Sequence, residues 1–246
     1  MNNIYLYDGS FDSLITLIFN LINKNIKPDN IKSEYEIEYN LIDKFLYLNE
    51  MNEYKNNLSD YLMSIIYRVY LSNDERRELI IYYFIKNSLI YKDKILNHRY
   101  LNCVLHTIRI CKNVNEEAHK LKGFLRFKEM NNNVLYAEMS PKNNVIFILA
   151  EHFKRRLKNE YFLIKDMNRN IYVFYDKNKI LYLNDENIKE LKLNLSDNEM
   201  EMEKLWKDFF ETIGIKIRKN YKTQRNFMPK RYWKYMIEME DKLWKK

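Results

Sequence analysis

The feature that most constrains the fold of this chain is its scarcity of glycine and proline, the residues that interrupt regular secondary structure. Its 246 residues include three of each, and neither occurs between residues 29 and 122. In this region apolar residues recur at helical spacing, which predicts helices over about 54–71, 74–91 and 97–121. We therefore predict an uninterrupted, mainly helical block in the first half of the chain.

The residues before these helices predict a strand, a helix and a further edge strand. Residues 4–7 read Ile-Tyr-Leu-Tyr, which favours a short strand ending at Asp8. Either Asp8 or Ser10 can cap a helix over about 11–24, whose leucines and isoleucines share one face. Glu34–Asn40 is a candidate edge strand.

The pattern changes from helical to alternating after Gly123. Apolar and basic residues alternate over 125–128, and an asparagine turn leads into 134–139, which is a hairpin signal. Three later apolar runs with polar turns predict an antiparallel meander: 161–165, 171–175 and 180–183. Helical spacing predicts three more helices: 144–157, 199–213 ending with a left-handed Gly214, and a final helix over 229–244 after Pro229.

These elements predict an α+β protein in one domain, 1–246, with possible sub-blocks at 1–122 (mainly helical) and 123–246. We expect the N-terminal helical block to pack with a small antiparallel sheet, a hairpin plus a meander, and with two C-terminal helices. No apolar run reaches the roughly 18 residues of a membrane span, and no signal peptide is visible, so a cytoplasmic protein with no membrane partner is expected.

Several chemistries are disfavoured by composition. Three scattered glycines exclude P-loop and Rossmann phosphate loops, which need glycines close together. Cys103 and Cys111 lie eight residues apart in a helical pattern and are expected to be buried thiols rather than a disulfide or a nucleophile. The four histidines lack zinc-ligand spacing. We predict no cofactor and no metal site in this chain.

The excess positive charge is confined to one segment near the C-terminus. No Asp or Glu occurs between Glu211 and Glu238, and eight Lys and Arg residues fall within 216–234, which we call the basic segment. The whole chain has 42 basic and 34 acidic residues, so the excess of +8 equals these eight charges. Such a segment indicates a polyanionic partner, although basic runs also occur as plain solvated surface.

Aromatic and amide residues are interleaved with these charges. Tyr221 and Phe227 fall in the predicted loop beside Arg225, where they could stack on bases. Gln224 could read a base edge or cap the loop. Trp233 has helical spacing to later apolar residues and is expected in the core, and the same spacing places Trp206, Phe209 and Phe210 there.

Five sequence blocks in order resemble one bacterial family. They are YDGSFDSL (7–14), EAHKLKGFLRFKE (117–129), PKNNVIFILAEHFKRR (141–156), LWKDFF (205–210) and QRNFMPKRYWK (224–234). The family has no known biochemical activity and is described in terms of DNA metabolism or DNA repair. The resemblance implies DNA as a partner, and a radical S-adenosylmethionine (SAM) protein as a second partner, because such proteins are typically encoded side by side. Some relatives are fused to a uracil-DNA glycosylase-like domain. No established catalytic residue is implied.

Three residues are candidates for chemistry. His119 lies five helical turns after Leu101 and is expected to point along the same apolar face, as a general acid/base, a phosphate ligand or a satisfied core histidine. His152 precedes the basic run Lys154–Arg156 and could join a phosphate-contacting face or merely cap a solvated surface. Glu117 is the nearby carboxylate. It could converge with Asp8, Asp166 and Asp176 on metals, but Asp166 and Asp176 flank turns that favour aspartate for backbone reasons alone.

We predict a DNA-binding accessory protein of repair or modification that acts with the radical SAM partner. The alternatives are a nucleic-acid-processing enzyme, a nuclease or a glycosylase-like protein using His119, His152 and Glu117, and a protein-binding scaffold without DNA affinity. The predicted nucleic-acid-binding residues are Arg126, Lys128, Arg155, Arg156, Arg218, Lys222, Gln224, Arg225, Lys230 and Arg231.

Overall fold

A computed structural model describes residues 2–36, 43–48, 58–184, 194–196, 198–218 and 220–242. The chain divides into two compact units, Met1–Asn115 and Glu116–Lys246. The division falls near the sub-block boundary predicted at residue 122, and the single-domain assignment stays a prediction.

The first unit contains a three-stranded parallel sheet. Strands β1 (Asn2–Tyr7), β2 (Asn30–Ser33) and β3 (Asp43–Leu46) lie in the order β2-β1-β3, and β1 pairs in parallel with both neighbours. Helix α1 (Phe11–Asn23) follows β1, and the Ser10 side chain accepts a hydrogen bond from the Ser13 amide.

The edge strand predicted at 34–40 is wrong where the structure describes it. Glu34–Glu36 form a 3₁₀ turn directly after β2, and residues 37–40 lie outside the described ranges. The strands that do pair with β1 come from distant positions, so short-range patterning could not identify them.

The predicted helical block is confirmed as three helices with shifted ends. They are α2 (Asp60–Tyr70), α3 (Arg77–Tyr91) and α4 (Asn102–Phe124), and residues 54–57 of the first prediction lie outside the described part. α1, α2 and α3 bury apolar side chains such as Ile18, Ile66 and Ile85 without exposed surface. No described helix is both long and apolar enough to cross a bilayer.

The second unit contains a five-stranded mixed sheet. Its strands run in the order β4 (Lys128–Glu129), β5 (Val134–Met139), β6 (Tyr161–Asp166), β7 (Ile171–Tyr175) and β8 (Ile180–Asn184). The β4–β5 hairpin and the β6–β8 meander are antiparallel, as predicted. However, β5 and β6 pair in parallel, so the sheet is not purely antiparallel. Helix α5 (Ile146–Arg156) makes the crossover that parallel strands require.

The C-terminal part contains two α-helices followed by two 3₁₀ turns. Helix α6 (Glu199–Thr212) is confirmed, but Gly214 is not left-handed; the helix ends through Ile213 with an ordinary negative φ of −74°. The segment predicted as a loop forms helix α7 (Tyr221–Phe227), whose N-cap is Asn220.

The predicted final helix is wrong. Lys230–Tyr235 and Ile237–Lys242 are 3₁₀ turns separated by an extended Met236, and residues 243–246 lie outside the described part. Trp233, Met236 and Met239, from the two turns and the extended residue between them, form one buried cluster. The predicted burial of Trp233 is confirmed, and the α+β class with it.

Candidate nucleic-acid interface

One exposed part of the basic segment is α7 with the turn before it. Arg218, Lys222 and Arg225 are exposed there, and among the described residues none of them pairs with a carboxylate. Tyr221 and Phe227 on the same helix are 56% and 73% exposed. We call these five side chains the α7 surface. Free cations beside accessible rings can bind phosphates and stack bases.

A second basic cluster surrounds the C-terminal turn of α5. Lys154, Arg155 and Arg156 end this helix, and Lys122 of α4 lies close enough to act electrostatically on His152. We call these residues the α5 cluster. Burial, and then the charges of Lys122, Arg156 and Arg155, lower the pKa of His152. The imidazole is therefore neutral near pH 7, surrounded by cations.

The predicted inward orientation of His119 is wrong, because this side chain is exposed. Leu105 and Ile108, on the same helical face, are also 49% and 38% exposed. Leu101 precedes the first residue of α4, so counting helical turns from Leu101 does not give the orientation of His119. The buried stripe of α4 lies on the other side and consists of Val104, Thr107, Ile110, Val114, Glu117, Ala118 and Leu121.

Glu117 is a buried carboxylate with a full set of hydrogen-bond donors. Its Oε1 accepts from the Lys142 amide at 3.0 Å, from Arg231 Nη2 at 2.9 Å and from the Tyr232 hydroxyl at 2.8 Å. Its Oε2 accepts from the amide and the side chain of Asn143 at 2.8 and 2.7 Å. Burial alone would raise the pKa of Glu117, but these bonds and the Arg231 charge outweigh it and lower the pKa. Glu117 thus anchors the PKRYWK block to α4.

Two predicted phosphate ligands are already paired with carboxylates. Arg126 bonds both oxygens of Glu238, at 2.6 and 3.3 Å, and also donates to the Gly123 carbonyl. Lys128 Nζ lies 2.9 Å from Glu203 Oε1. Buried or half-buried pairs of this kind belong to the framework of the unit and carry little free positive charge.

Three further residues that were predicted to contact nucleic acid differ in how accessible their side chains are to a ligand. Lys230 is exposed, with its ammonium 5.8 Å from the centre of the Trp233 ring. Arg231 is bound to Glu117, as described above. Gln224 is half-buried, and its amide nitrogen lies 3.8 Å from Met239 Sδ, so it faces the apolar cluster.

A small polar pocket lies beside β5 and the 3₁₀ turn Lys230–Tyr235. It encloses about 230 Å³ and is lined by Arg126, Lys128, Met130, Tyr136, Glu138, Leu195, Lys234 and Tyr235. We call it the β5 pocket. The Tyr136 hydroxyl donates to Glu138 Oε1 at 2.8 Å, and the hydroxyls of Tyr235 and Ser140 are hydrogen-bonded to each other. Burial and then the Glu138 carboxylate raise the pKa of Tyr136, so its phenol stays protonated.

No pattern in the sequence predicted this pocket. Tyr136 and Glu138 are two residues apart on a strand, and side chains at that spacing share a face. That spacing could have linked the two residues. It could not predict the presence of Tyr235, which lies much later in the sequence, in the 3₁₀ turn Lys230–Tyr235.

The candidate metal-binding carboxylates serve turns instead. Buried Asp166 accepts from the Asn168 amide and pairs with Arg169 at 2.9 Å; Asp176 accepts from the amides of Asn178 and Lys179. Within the described ranges, no three His, Cys, Asp or Glu side chains are grouped so that they could hold a metal ion.

The fold and these side chains define an α+β protein with an exposed basic surface and a small polar pocket. Residues 75–238 match a family model described as a domain of unknown function, DUF4130. Because the match covers more than half of the chain, the protein belongs to this family, and the predicted membership of a family without known activity is confirmed. Neither the curated proteins nor the solved structures include a detectable match.

Proposed function

We propose that this protein is a DNA-binding accessory protein of a repair or modification system. It holds a DNA strand on the α7 surface and the α5 cluster, while a partner, a radical SAM protein as the family resemblance implies, performs the chemistry. The observation that carries this proposal is the contrast between two sets of cations. Arg126 and Lys128 are neutralised by glutamates, whereas Arg218, Lys222 and Arg225 are exposed beside two accessible rings.

The α7 surface favours single-stranded over double-stranded DNA. Tyr221 and Phe227 offer ring faces to unstacked bases, which a paired duplex does not present. Cations without acidic partners release counterions from phosphates, so affinity falls with salt. If about four phosphates are engaged, log K decreases with log salt concentration with a slope of about −3 for a single strand.

An apolar stripe on α6 supports the proposed protein partner. Met202, Leu205, Phe209 and Ile213 recur at a spacing of three to four residues, and each is more than half exposed. The helix is attached to its own unit through other side chains, Glu199, Glu203 and Phe210. A row of exposed apolar side chains on one helix is typical of a surface that another protein covers.

The test is binding of a labelled single-stranded oligonucleotide across a range of salt concentrations. We expect the triple variant Arg218→Ala, Lys222→Ala and Arg225→Ala to lose about tenfold or more in affinity at low salt and to flatten the salt slope by about 2, because three phosphate contacts are removed.

A matched control removes three exposed lysines of the first unit, Lys27→Ala, Lys86→Ala and Lys94→Ala. It changes the net charge equally and should leave the affinity nearly unchanged. Absence of binding by the unaltered protein at low salt would contradict the proposal, and so would equal losses in the two triple variants. Capture of the radical SAM partner without any DNA affinity would favour the scaffold alternative.

One observation favours the enzyme alternative, namely the neutral His152 within the α5 cluster. A neutral imidazole among phosphate-binding cations is suited to accept a proton. Incubation of the protein with lesion-containing DNA, with and without divalent metal, distinguishes the two functions. Product formation that disappears in His152→Ala would establish catalysis in this chain; its absence under all conditions leaves the binding role.

A further inference from the structure

We propose that the β5 pocket receives a single unstacked nucleotide of the bound DNA strand. In this assignment Glu138 accepts hydrogen bonds from the base edge, the Tyr136 and Tyr235 side chains form aromatic walls, and Lys234 contacts the phosphate. The proposal rests on the proposed function, because it needs a DNA strand nearby, but it assigns a separate site with its own chemistry.

The pocket combines an acceptor with a cation that pairs with no carboxylate among the described residues. Glu138 accepts one hydrogen bond within the described residues, from Tyr136, although an ionised carboxylate has roughly four acceptor positions. Lys234 is exposed, and its described contact is with the ring of Tyr235, 4.6 Å from the ring centre. The remaining acceptor positions of Glu138 and the ammonium of Lys234 are therefore available to a ligand.

The combination of the Glu138 carboxylate with the Lys234 ammonium favours some anionic ligands over others. A bare phosphate could bind Lys234, but it would be repelled by the Glu138 carboxylate. A ligand that carries both an anionic group and N–H donors satisfies the two side chains at once. A nucleotide has this composition, since its base presents amino or ring N–H groups, and glutamate accepts from such groups in base recognition.

The volume of the pocket limits what can enter. At about 230 Å³, it lies below the roughly 300–1,000 Å³ that is usual for sites of drug-sized ligands. It suits one base and not a base pair. A base must therefore leave its stack to enter, which costs least in a strand that is already single or carries a mismatched or damaged base.

The pocket and the proposed DNA surface share one stretch of chain. Lys234 and Tyr235 belong to the 3₁₀ turn that also carries exposed Lys230, and this turn follows α7 after Met228 and Pro229. A strand that runs over the basic segment would therefore bring its nucleotides to residues of the pocket wall.

The experiment compares single-stranded oligonucleotides that differ at one central position, which carries each of the four bases or an abasic site. The unaltered protein should bind at least one base-containing strand about tenfold more tightly than the abasic strand, because a stacked and hydrogen-bonded base adds affinity that the backbone cannot supply. In Glu138→Gln the order of base preference should change, since the amide replaces one acceptor by a donor. Affinity for the abasic strand should not fall, because the neutral amide no longer repels phosphate, so base preference is measured as the affinity ratio of each base-containing strand to the abasic strand.

The control is the Arg218→Ala, Lys222→Ala and Arg225→Ala variant, which should weaken all strands equally. Lys234→Ala serves as a second pocket variant on an exposed side chain, and both pocket variants must retain the melting temperature of the unaltered protein. DNA binding with no distinction between base and abasic site would overturn the pocket assignment and leave the proposed function standing. Absence of DNA binding altogether would overturn both.

Discussion

At the scale of single residues, Glu117 determines how the C-terminal part of the second unit is attached. Its carboxylate is 4% exposed and accepts from four residues of two separate segments, the loop at 142–143 and the turn at 231–232. A buried anion is tolerated only when donors surround it, and its removal leaves those donors without acceptors.

We expect Glu117→Ala to lower the free energy of unfolding by about 3 kcal/mol, the lower end of the range for breaking a buried ion pair, because Arg231 keeps contact with water. Urea unfolding measures this value. Exposed Glu160, in the turn before β6, gives a matched control, and Glu160→Ala should stay within about 0.5 kcal/mol of the unaltered protein. Equal stabilities for the two variants would mean that the bonds to Glu117 contribute little.

The pH dependence of stability should follow from the same carboxylate. The pKa of Glu117 in the folded chain lies below its ordinary value of 4.5, despite the opposing effect of burial. Between the folded and unfolded pKa values, the unfolded chain therefore binds more protons than the folded chain. The contribution of Glu117 to the free energy of unfolding is present above about pH 4.5 and is lost as pH falls through the folded pKa. Melting temperatures measured in this acid range should fall less steeply for Glu117→Gln than for the unaltered protein. Parallel curves would contradict this origin.

At the scale of elements, α6 presents two faces with opposite roles. Phe209 is 52% exposed on the apolar stripe, whereas Phe210 packs against the cluster of Trp233, Met236 and Met239. The predicted burial of Phe209 was wrong because both phenylalanines are consistent with an amphipathic helix, and only the partner surface decides which one faces inward.

Adjacent alanine substitutions test this assignment. Phe210→Ala should reduce the free energy of unfolding by about 2 kcal/mol, less than the roughly 3–5 kcal/mol of a fully buried phenylalanine. Phe209→Ala should change stability by less than about 0.5 kcal/mol and instead weaken association with the proposed partner. Thermal or urea unfolding, together with copurification of the partner, measures both effects; reversed stabilities would show that the faces are assigned incorrectly.

Local elements could be predicted from the sequence, and their long-range pairing could not. The ends of α1, α3 and α5 were predicted within about three residues, since caps and apolar spacing are local signals. The parallel β5–β6 pair and the parallel sheet around β1 depend on contacts between distant segments. Likewise, the basic charges of Arg126 and Lys128 were visible in the sequence, but the glutamates that neutralise them were not identifiable.

At the scale of the whole molecule, the net charge of +8 does not show where positive charge is available to attract DNA. Arg231, one of the eight charges of the basic segment, is bound to Glu117. The exposed basic side chains of the described basic segment, such as Arg218, Lys222, Arg225 and Lys230, lie on α7 and the turns beside it. A localised surface of this kind steers a polyanion to one place, whereas the same number of charges spread over the molecule would attract it without orientation.

The anchoring of Glu117 by Arg231 also constrains the order in which the second unit can fold. The two residues are 114 positions apart, and Arg126 and Glu238 are 112 apart. Contacts of such long sequence separation form late, because the entropy of closing a large loop is lost before the bond compensates. On the ribosome, the 3₁₀ turns emerge only after α4 and the mixed sheet have been synthesised. Until then Glu117 lacks two of its donors, and the β5 pocket has neither Lys234 nor Tyr235. Completion of the β5 pocket therefore requires these late contacts, so a chain caught before they form would lack the proposed nucleotide site.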